Sequence, residues 1–339
     1  MTAMSQRFAV GVLIAALSVL AAAAARSAEP LKIREGWANT PAALTPIIFA
    51  NKELLKHYGQ SYTLEPVRFA GTSPEITALA AGDLDVATLA YSSLGAAVEN
   101  AGMNDLRIIG DGFQDGVAGY YSSEYLVLKD GPIRSVEDLK GKVLVSNAIG
   151  GAIDMGIRQM LRLHHLEDRR DYSIVEANFP TMLPMLEEHK ADLIGSVPPF
   201  ANIAKARGDV RVLFTLKDAF GTTDMIFQVA RQSFIEKNRA ALVDFSEDWL
   251  RALKWYIDPA NHDAAVRIVS DYTKLKPAVF SDWLFTKNDY YRDPMARPNL
   301  AALQQNIATQ QKLGFLKRDM DVDKYADLSL LDDAAKRLH

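Results

Sequence analysis

Cysteine is absent from all 339 residues. That excludes structural disulfides, thiolate metal sites and a cysteine nucleophile. It also excludes the lipidated cysteine of a lipoprotein, so no lipid anchor is expected. Histidine is sparse, and none of the six residues has the H-E-x-x-H spacing of a zinc site. Beyond the first 28 residues no run of 18 apolar residues occurs, so no transmembrane helix is expected there. No basic block stands out, which makes nucleic acid an unexpected partner. The G-x-S-x-G nucleophile elbow is missing. Glu187-Glu188 and Asp332-Asp333 are sequence neighbours that read as solvated helix faces. The chain is therefore expected not to be an enzyme and to carry no catalytic residue, metal or cofactor.

The N-terminus carries a recognisable pattern. Arg7 precedes an uncharged apolar stretch from Phe8 to Ala25, and small residues follow through Ala28. This is the pattern of a secretory signal peptide, residues 1–28, cut after Ala25 or after Ala28. A membrane anchor is the alternative, since the run is almost long enough to span. Its alanine-rich end is weakly hydrophobic, which favours cleavage. Removal leaves 339 − 28 = 311 residues, with 38 − 2 = 36 basic against 42 acidic side chains, a net charge of −6. Export without disulfide or lipid points to a free periplasmic protein stabilised by a conventional core.

The remaining chain alternates short apolar strands with helical patterns, which predicts parallel α/β organisation. Strands are expected at 31–35, 62–69, 84–90 and 106–110, with a loop from Gly36 to Thr40 and helices over 41–58, 72–82 and 92–101. A second unit begins near residue 120, with strands at 125–128, 142–146, 172–175, 193–197, 210–215 and 225–230. Its helices are expected over 152–164, 181–190 and 199–207. After residue 232 the pattern is helical, at 239–257, 260–273, 276–285 and 298–313. Trp249, Trp255 and Trp283 would pack this tail onto the first unit. Two α/β halves without a flexible linker imply two lobes around a cleft.

Two loops stand out. Gly71-Thr72-Ser73 lies between a strand and a helix, where free amides attract an anion or a polar ligand atom. Its other reading is plain capping, by Ser73 before Pro74 or by Thr72 with Glu75. Asn147 through Ala152 has the same layout in the second unit, and Gly150-Gly151 permits close backbone approach. It lacks both the G-x-G-x-x-G and the Gly-Lys-Ser/Thr phosphate patterns. Two such helix starts facing each other would clamp a small polar ligand at the carboxyl ends of the strands. Trp37, Tyr91, Tyr120-Tyr121 and Phe200 sit in loops at those ends, suited to walls or to packing. Arg34 and Arg68 are either structural or poised to meet an anion. Asp224 is a solvated turn residue, a hinge marker or a partner for a ligand amine.

The stretch Ile133-Arg134-Ser135-Val136-Glu137-Asp138-Leu139-Lys140-Gly141-Lys142-Val143 resembles a segment of periplasmic binding proteins. Leu31-Lys32-Ile33-Arg34, Gly71-Thr72-Ser73, Ala81-Gly82-Asp83-Leu84-Asp85, Asn147–Gly151 and Ala191-Asp192-Leu193-Ile194 follow in the order of the nitrate/sulfonate/taurine branch. Thiamine-precursor binders are similar. The resemblance covers most of residues 30–290. It implies an α/β, type II periplasmic binding protein fold with two lobes, a hinge cleft and a helical C-terminal tail. Lobe 1 would be 29–118 plus 225–339, and lobe 2 would be 119–224. It implies a monomeric solute-binding component of an ATP-binding-cassette importer, with a permease at the inner membrane as partner. By the same resemblance the ligand residues are Asn39, Thr40, Thr72, Ser73, Ser92, Ser93, Asn147, Gly150 and Gly151, with Tyr120 and Phe200. Many relatives carry a tryptophan where this chain reads Ser196-Val197-Pro198-Pro199-Phe200. The ligand class is thus a small organic anion, either sulfonate-like or aromatic-carboxylate-like, with a thiamine-precursor-like pyrimidine as alternative. A related pyrimidine-synthase branch uses a cysteine-rich motif that is absent here.

Overall fold

The computed structural model describes residues 29–38, 43 and 45–338. The signal-peptide pattern at 1–28 and the candidates Asn39 and Thr40 lie outside them. Among the described residues ten strands form two five-stranded sheets. The first contains β1 (Leu31–Ala38), β2 (Tyr62–Phe69), β3 (Val86–Leu89), β4 (Leu106–Asp115) and β10 (Thr223–Arg231). The second contains β5 (Glu124–Leu128), β6 (Lys142–Ser146), β7 (Tyr172–Glu176), β8 (Leu193–Ser196) and β9 (Val210–Thr215). Their orders are β2-β1-β3-β10-β4 and β7-β6-β8-β5-β9.

Neither sheet is wholly parallel, which corrects the sequence expectation. β10 runs antiparallel to β3 and β4, and β5 runs antiparallel to β8 and β9. Both strands follow crossovers between the sheets, 116–123 and 216–222. Strand periodicity carries no direction, so alternation of strands and helices could not show this reversal.

Ten α-helices occur among the described residues. They are α1 (Thr72–Ala81), α2 (Ser93–Glu99), α3 (Ala152–Leu163), α4 (Phe179–Glu187), α5 (Phe200–Arg207), α6 (Leu216–Phe220), α7 (Gln232–Ile257), α8 (His262–Thr273), α9 (Leu300–Lys312) and α10 (Ser329–Ala335). The helix expected over 41–58 is not formed. Its described part holds two short 3-10 turns, Ile47–Phe49 and Lys52–Leu54. Pro46 has no amide hydrogen to continue a ladder. The consecutive residues Ile47, Ile48 and Phe49 are all buried, an all-round burial that an exposed helix face would not permit. The helix expected over 276–285 is also absent, with one turn at Pro277–Val279 and a left-handed Phe285 beyond it. β1 extends through Ala38, because β2 pairs with it residue for residue to Phe69.

α1 ends as read, at a left-handed Gly82 whose amide bonds the last turn. The tail does pack onto the first sheet. Trp249 lies against Phe49 and Phe245, in the cluster that holds Ile33, Tyr62 and Val86. Trp255 borders the same cluster, and Trp283 packs with Ile47, Val266 and Phe280.

In the second half, α3 lies directly on β5. A Cβ on Gly156 would overlap the Tyr125 hydroxyl and sit 2.8 Å from Leu216 Cδ1. That hydroxyl donates to the Ile153 carbonyl at 3.0 Å, and the ring stacks on Phe214. Gly156→Ala should therefore destabilise the protein by about 1–3 kcal/mol, the usual cost of overpacking. Calorimetry checks this, and Tyr125→Phe in the same chain should recover part of the loss. An unchanged melting temperature for Gly156→Ala would show that helix and sheet are not in contact there.

Candidate functional site: a cavity between the two sheets

The carboxyl ends of β1, β2 and β3 face those of β6, β7 and β8, as contacts between the residues that follow them show. Between them lies a cavity of about 50 Å³. Ala38, Ala43, Gly71, Thr72, Phe113, Met225, Ile226 and Tyr290 line it from one side. Asn147, Ala152, Ile153, Phe179 and Val197 line it from the other. Among the described lining residues none is Asp, Glu, His, Lys or Arg. Phe113 and Tyr290 stack at 4.4 Å between centroids to form part of its apolar wall.

The two helix starts singled out in the sequence do come together. Asn147 Nδ2 donates to the Ala70 carbonyl at 2.8 Å. A Cβ on Gly150 would lie 3.4 Å from Ser73 Oγ. They differ chemically, however. α1 begins at Gly71, which supplies no side-chain cap. Neither Ser73 nor a Thr72–Glu75 pair caps it, which corrects the capping reading. The Glu75 carboxylate turns inward to the Thr88 amide at 2.8 Å, and Thr72 Oγ1 shares a 2.7 Å hydrogen bond with Ser93 Oγ. The hydroxyls of Ser73 and Ser92 are buried without a protein partner. First-turn amides of a helix have no acceptor within it, so this start keeps donors to offer.

The second start differs in the loop ahead of it. The amides of Ile149 and Gly150 bond to Glu176 Oε1 and to Asp154 Oδ2. Asp154 is buried and pairs with Arg158 at 2.8 Å, which also pairs with Asp168. α3 itself begins at Gly151 without a side-chain cap, so its first-turn amides, like those of α1, have no acceptor within the helix. Asn147 is the polar side chain that this side adds to the described lining.

The other candidates disperse. Tyr120 lies away from this cavity, against Tyr291 at 5.1 Å and under Lys287. It lines a separate 640 Å³ groove with Asn202, Ile203 and Trp283. Phe200 stacks behind Phe179 at 5.8 Å and supports the wall from outside. Arg34 is structural, in a two-point pair with Asp85 and bonded to the Gly82 carbonyl. Arg68 lines an open 440 Å³ groove with Phe69, Ala70, Asn178, Pro180 and Thr181, at the β2 and β7 edges. Asp224 is no solvated turn residue. It is fully buried on β10, and burial pushes its carboxyl up to about 7. Its neighbour Asp111 is raised as well, by burial first and then by the Asp224 charge.

At the opposite edge the two crossovers are tied together. Asp115 accepts from Ser122 Oγ at 2.5 Å, from the Ser123 amide at 2.8 Å and from Ser123 Oγ at 2.7 Å. Ser123 Oγ meets Tyr290 Oη at 2.8 Å, and the Lys217 amide donates to Ser122 Oγ. Three further contacts join the two halves. Tyr91 Oη donates to the Ala152 carbonyl at 2.8 Å. Arg162 on α3 donates to the Leu313 carbonyl just past α9, and its guanidinium lies over the Phe315 ring.

Sequence reasoning did not reach Phe113, Met225, Ile226 or Tyr290. β4 was expected to stop at Gly110, before Phe113, and nothing local marks Tyr290 as facing a cavity.

Three comparisons bear on this architecture. A family model described as NMT1/THI5 like matches residues 63–262. YtlA of Bacillus subtilis (strain 168), whose name describes a binding protein, is 19% identical over 175 residues, 50% of this chain and 52% of that protein. The chain thus spans about half the length of the curated relative it matches. Among solved structures, the periplasmic nitrate-binding protein NrtA from Synechocystis PCC 6803 superposes with a TM-score of 0.71 at 16% identity, covering 92% of this chain and 90% of that one. The periplasmic aliphatic sulphonate binding protein SsuA from Escherichia coli gives 0.64 at 19% identity, covering 88% and 92%. At these identities the likeness shows a shared fold, α/β with two mixed sheets.

Proposed function

The chain belongs to the NMT1/THI5 like family, and on that footing we propose that it is the solute-binding component of an importer. Lobe 1, residues 29–118 with 225–339, and lobe 2, residues 119–224, close on a small organic anion. The protein works free in the periplasm as a monomer and hands its ligand to an ATP-binding-cassette permease. The observation that carries the ligand class is the unfilled start of α1 in an otherwise apolar cavity. Backbone amides of Thr72 and Ser73, with the Ser73 hydroxyl, can hold an acidic group without a countercharge. Phe113, Phe179, Met225, Ile226 and Tyr290 suit an apolar body.

The cavity of about 50 Å³ is far below the roughly 300–1,000 Å³ of ordinary ligand pockets. Ligand entry therefore requires the lobes to part, with the tied crossovers at Asp115, Ser122 and Ser123 as hinge. Arg68 at the β2 and β7 edges is the cation an approaching anion meets at the mouth. A ligand shifts the equilibrium towards closure only by touching both lobes, since only differential affinity moves a population.

Thermal shift across sulfonates, aromatic carboxylates and nitrate tests the reading. At a hundredfold excess over its dissociation constant the true ligand adds about 2.7 kcal/mol, and its methyl ester should add nothing. Absence of a shift from every acid, or an equal shift from acid and ester, would overturn the anion assignment.

A further inference from the structure

Each lobe brings an uncapped helix start to the cavity, α1 at Gly71 and α3 at Gly151. Lobe 2 adds one polar side chain to the described lining, Asn147, while the loop amides of Ile149 and Gly150 are held by Glu176 and Asp154. The orientation of the Asn147 amide is fixed, since Nδ2 must face the carbonyl of Ala70, which can only accept. Its Oδ1 is then buried with no donor from the protein. An unpaired buried acceptor is costly, and the cavity beside it is where a donor can enter.

We infer that the ligand carries, besides its acidic end, a neutral N–H or O–H group that donates to Asn147 Oδ1. This rests on the reading of the cavity as an organic-anion site. The donor is neutral because the described lining holds no carboxylate to match an ammonium, and the Asp154 charge, behind that loop, is already paired with Arg158. Burying an uncompensated ammonium would cost more than one hydrogen bond returns. Hydroxy acids and acids bearing an amide or ring N–H fit, whereas aminosulfonates and amino acids do not. The donor adds a polar contact with lobe 2 at Asn147. An acid without it leaves Asn147 Oδ1 buried and unpaired when the lobes close, so it binds the closed state less tightly.

Matched pairs test this by titration calorimetry on the full mature chain. The probes are 4-hydroxybenzoate against 4-methoxybenzoate, and 4-hydroxybutanoate against 4-methoxybutanoate. In the wild type the hydroxy acid of at least one pair should bind about tenfold tighter than its ether, the scale of a buried acceptor gained or lost. In Asn147→Leu that ratio should fall towards one, whatever happens to overall affinity. Asn147→Asp, which keeps an acceptor, should retain the preference. Binding of both members with equal affinity in the wild type, or an unchanged ratio in Asn147→Leu, overturns the donor while leaving the anion site standing. No binding of any of the four at millimolar concentration overturns the anion site and the donor with it. Should Asn147→Leu not fold, the wild-type ratio and Asn147→Asp still decide.

Discussion

Gly71→Ala is expected to abolish tight ligand binding while the ligand-free protein stays folded. Gly71 has an extended backbone, with φ −172° and ψ −176°, that alanine also adopts. No local strain arises. The obstacle is entirely across the cavity. A Cβ there would lie 2.7 Å from Ala148 Cβ and 2.8 Å from Asn147 Nδ2, both on the loop before α3. Ala148 Cβ cannot swing away, and Asn147 Nδ2 can do so only by giving up its bond to the Ala70 carbonyl. The lobes must stay apart at that point, and the Asn147–Ala70 bond that spans them is lost. Overpacking costs about 1–3 kcal/mol, here charged to the closed state alone, so affinity should fall by about 10- to 100-fold. Titration calorimetry with the identified ligand gives the affinity, and small-angle scattering gives the compaction. Full affinity in the variant would mean that closure does not bring Gly71 against Asn147. A melting temperature that collapses without ligand would make Gly71 a residue of the fold instead.

Asp224→Asn should stabilise the protein above neutral pH and flatten its pH dependence. Asp224 and Asp111 are both buried in neighbouring strands, β10 and β4. Burial pushes Asp224 up to about 7, and Asp111 is raised by burial and by the adjacent charge. Gln114 Nε2 is a weak partner for Asp111, at 3.3 Å. In the unfolded chain a carboxyl titrates near 4. Between that pH and 7 the native state holds a proton that the unfolded state has released. Stability is therefore full below about pH 4, as far as this pair is concerned, and is lost as pH rises through 7. Glu35 adds a slope of the same sign. It is buried, accepts from Gln228 Nε2 at 2.7 Å, and is pushed to about 8.

An amide at position 224 cannot ionise and can donate to Asp111. At pH 8.5 the variant's melting temperature should exceed the wild type's by about 5 °C, on the roughly 2–4 °C per kcal/mol of large domains. At about pH 4 the two should coincide. Adding Glu35→Gln should flatten the slope further, leaving the share of the buried Glu75 and Asp115, which burial also raises. Parallel melting curves for wild type and Asp224→Asn from pH 5 to 8.5 would show that the pair carries no such linkage.

Residues that were legible from sequence share one property: their signal is local. Gly82 stops α1 because a left-handed residue follows an apolar helix, and that pattern is written in adjacent positions. The strands at 62–69, 142–146 and 210–215 are short runs rich in β-branched or aromatic residues, and each formed. The helix patterns at 41–58 and 276–285 were equally local, but long-range burial of Ile47 to Phe49, and of Phe280, Trp283 and Leu284, won over propensity. Thr72 and Ser73 were placed at a helix start correctly, yet their hydroxyls do not cap it. Ser93, twenty-one residues away, takes Thr72, and Thr88 takes Glu75.

Apolar periodicity thus sufficed to place most strands and helices and to bring Gly71–Ser73 and Asn147–Gly151 into view as loops of one kind. Periodicity records how a residue meets the core, and says nothing about which way a strand runs or which distant donor claims a given acceptor. Those were decided by packing. The reversal of β5 and β10, the capture of the second loop's amides by Glu176 and Asp154, and a wall assembled from Phe113, Phe179, Met225 and Tyr290 all depend on contacts between segments far apart in the chain. The helix starts that look alike in sequence are alike in lacking a side-chain cap, and differ in the loop ahead of them, where carboxylates took the amides of Ile149 and Gly150.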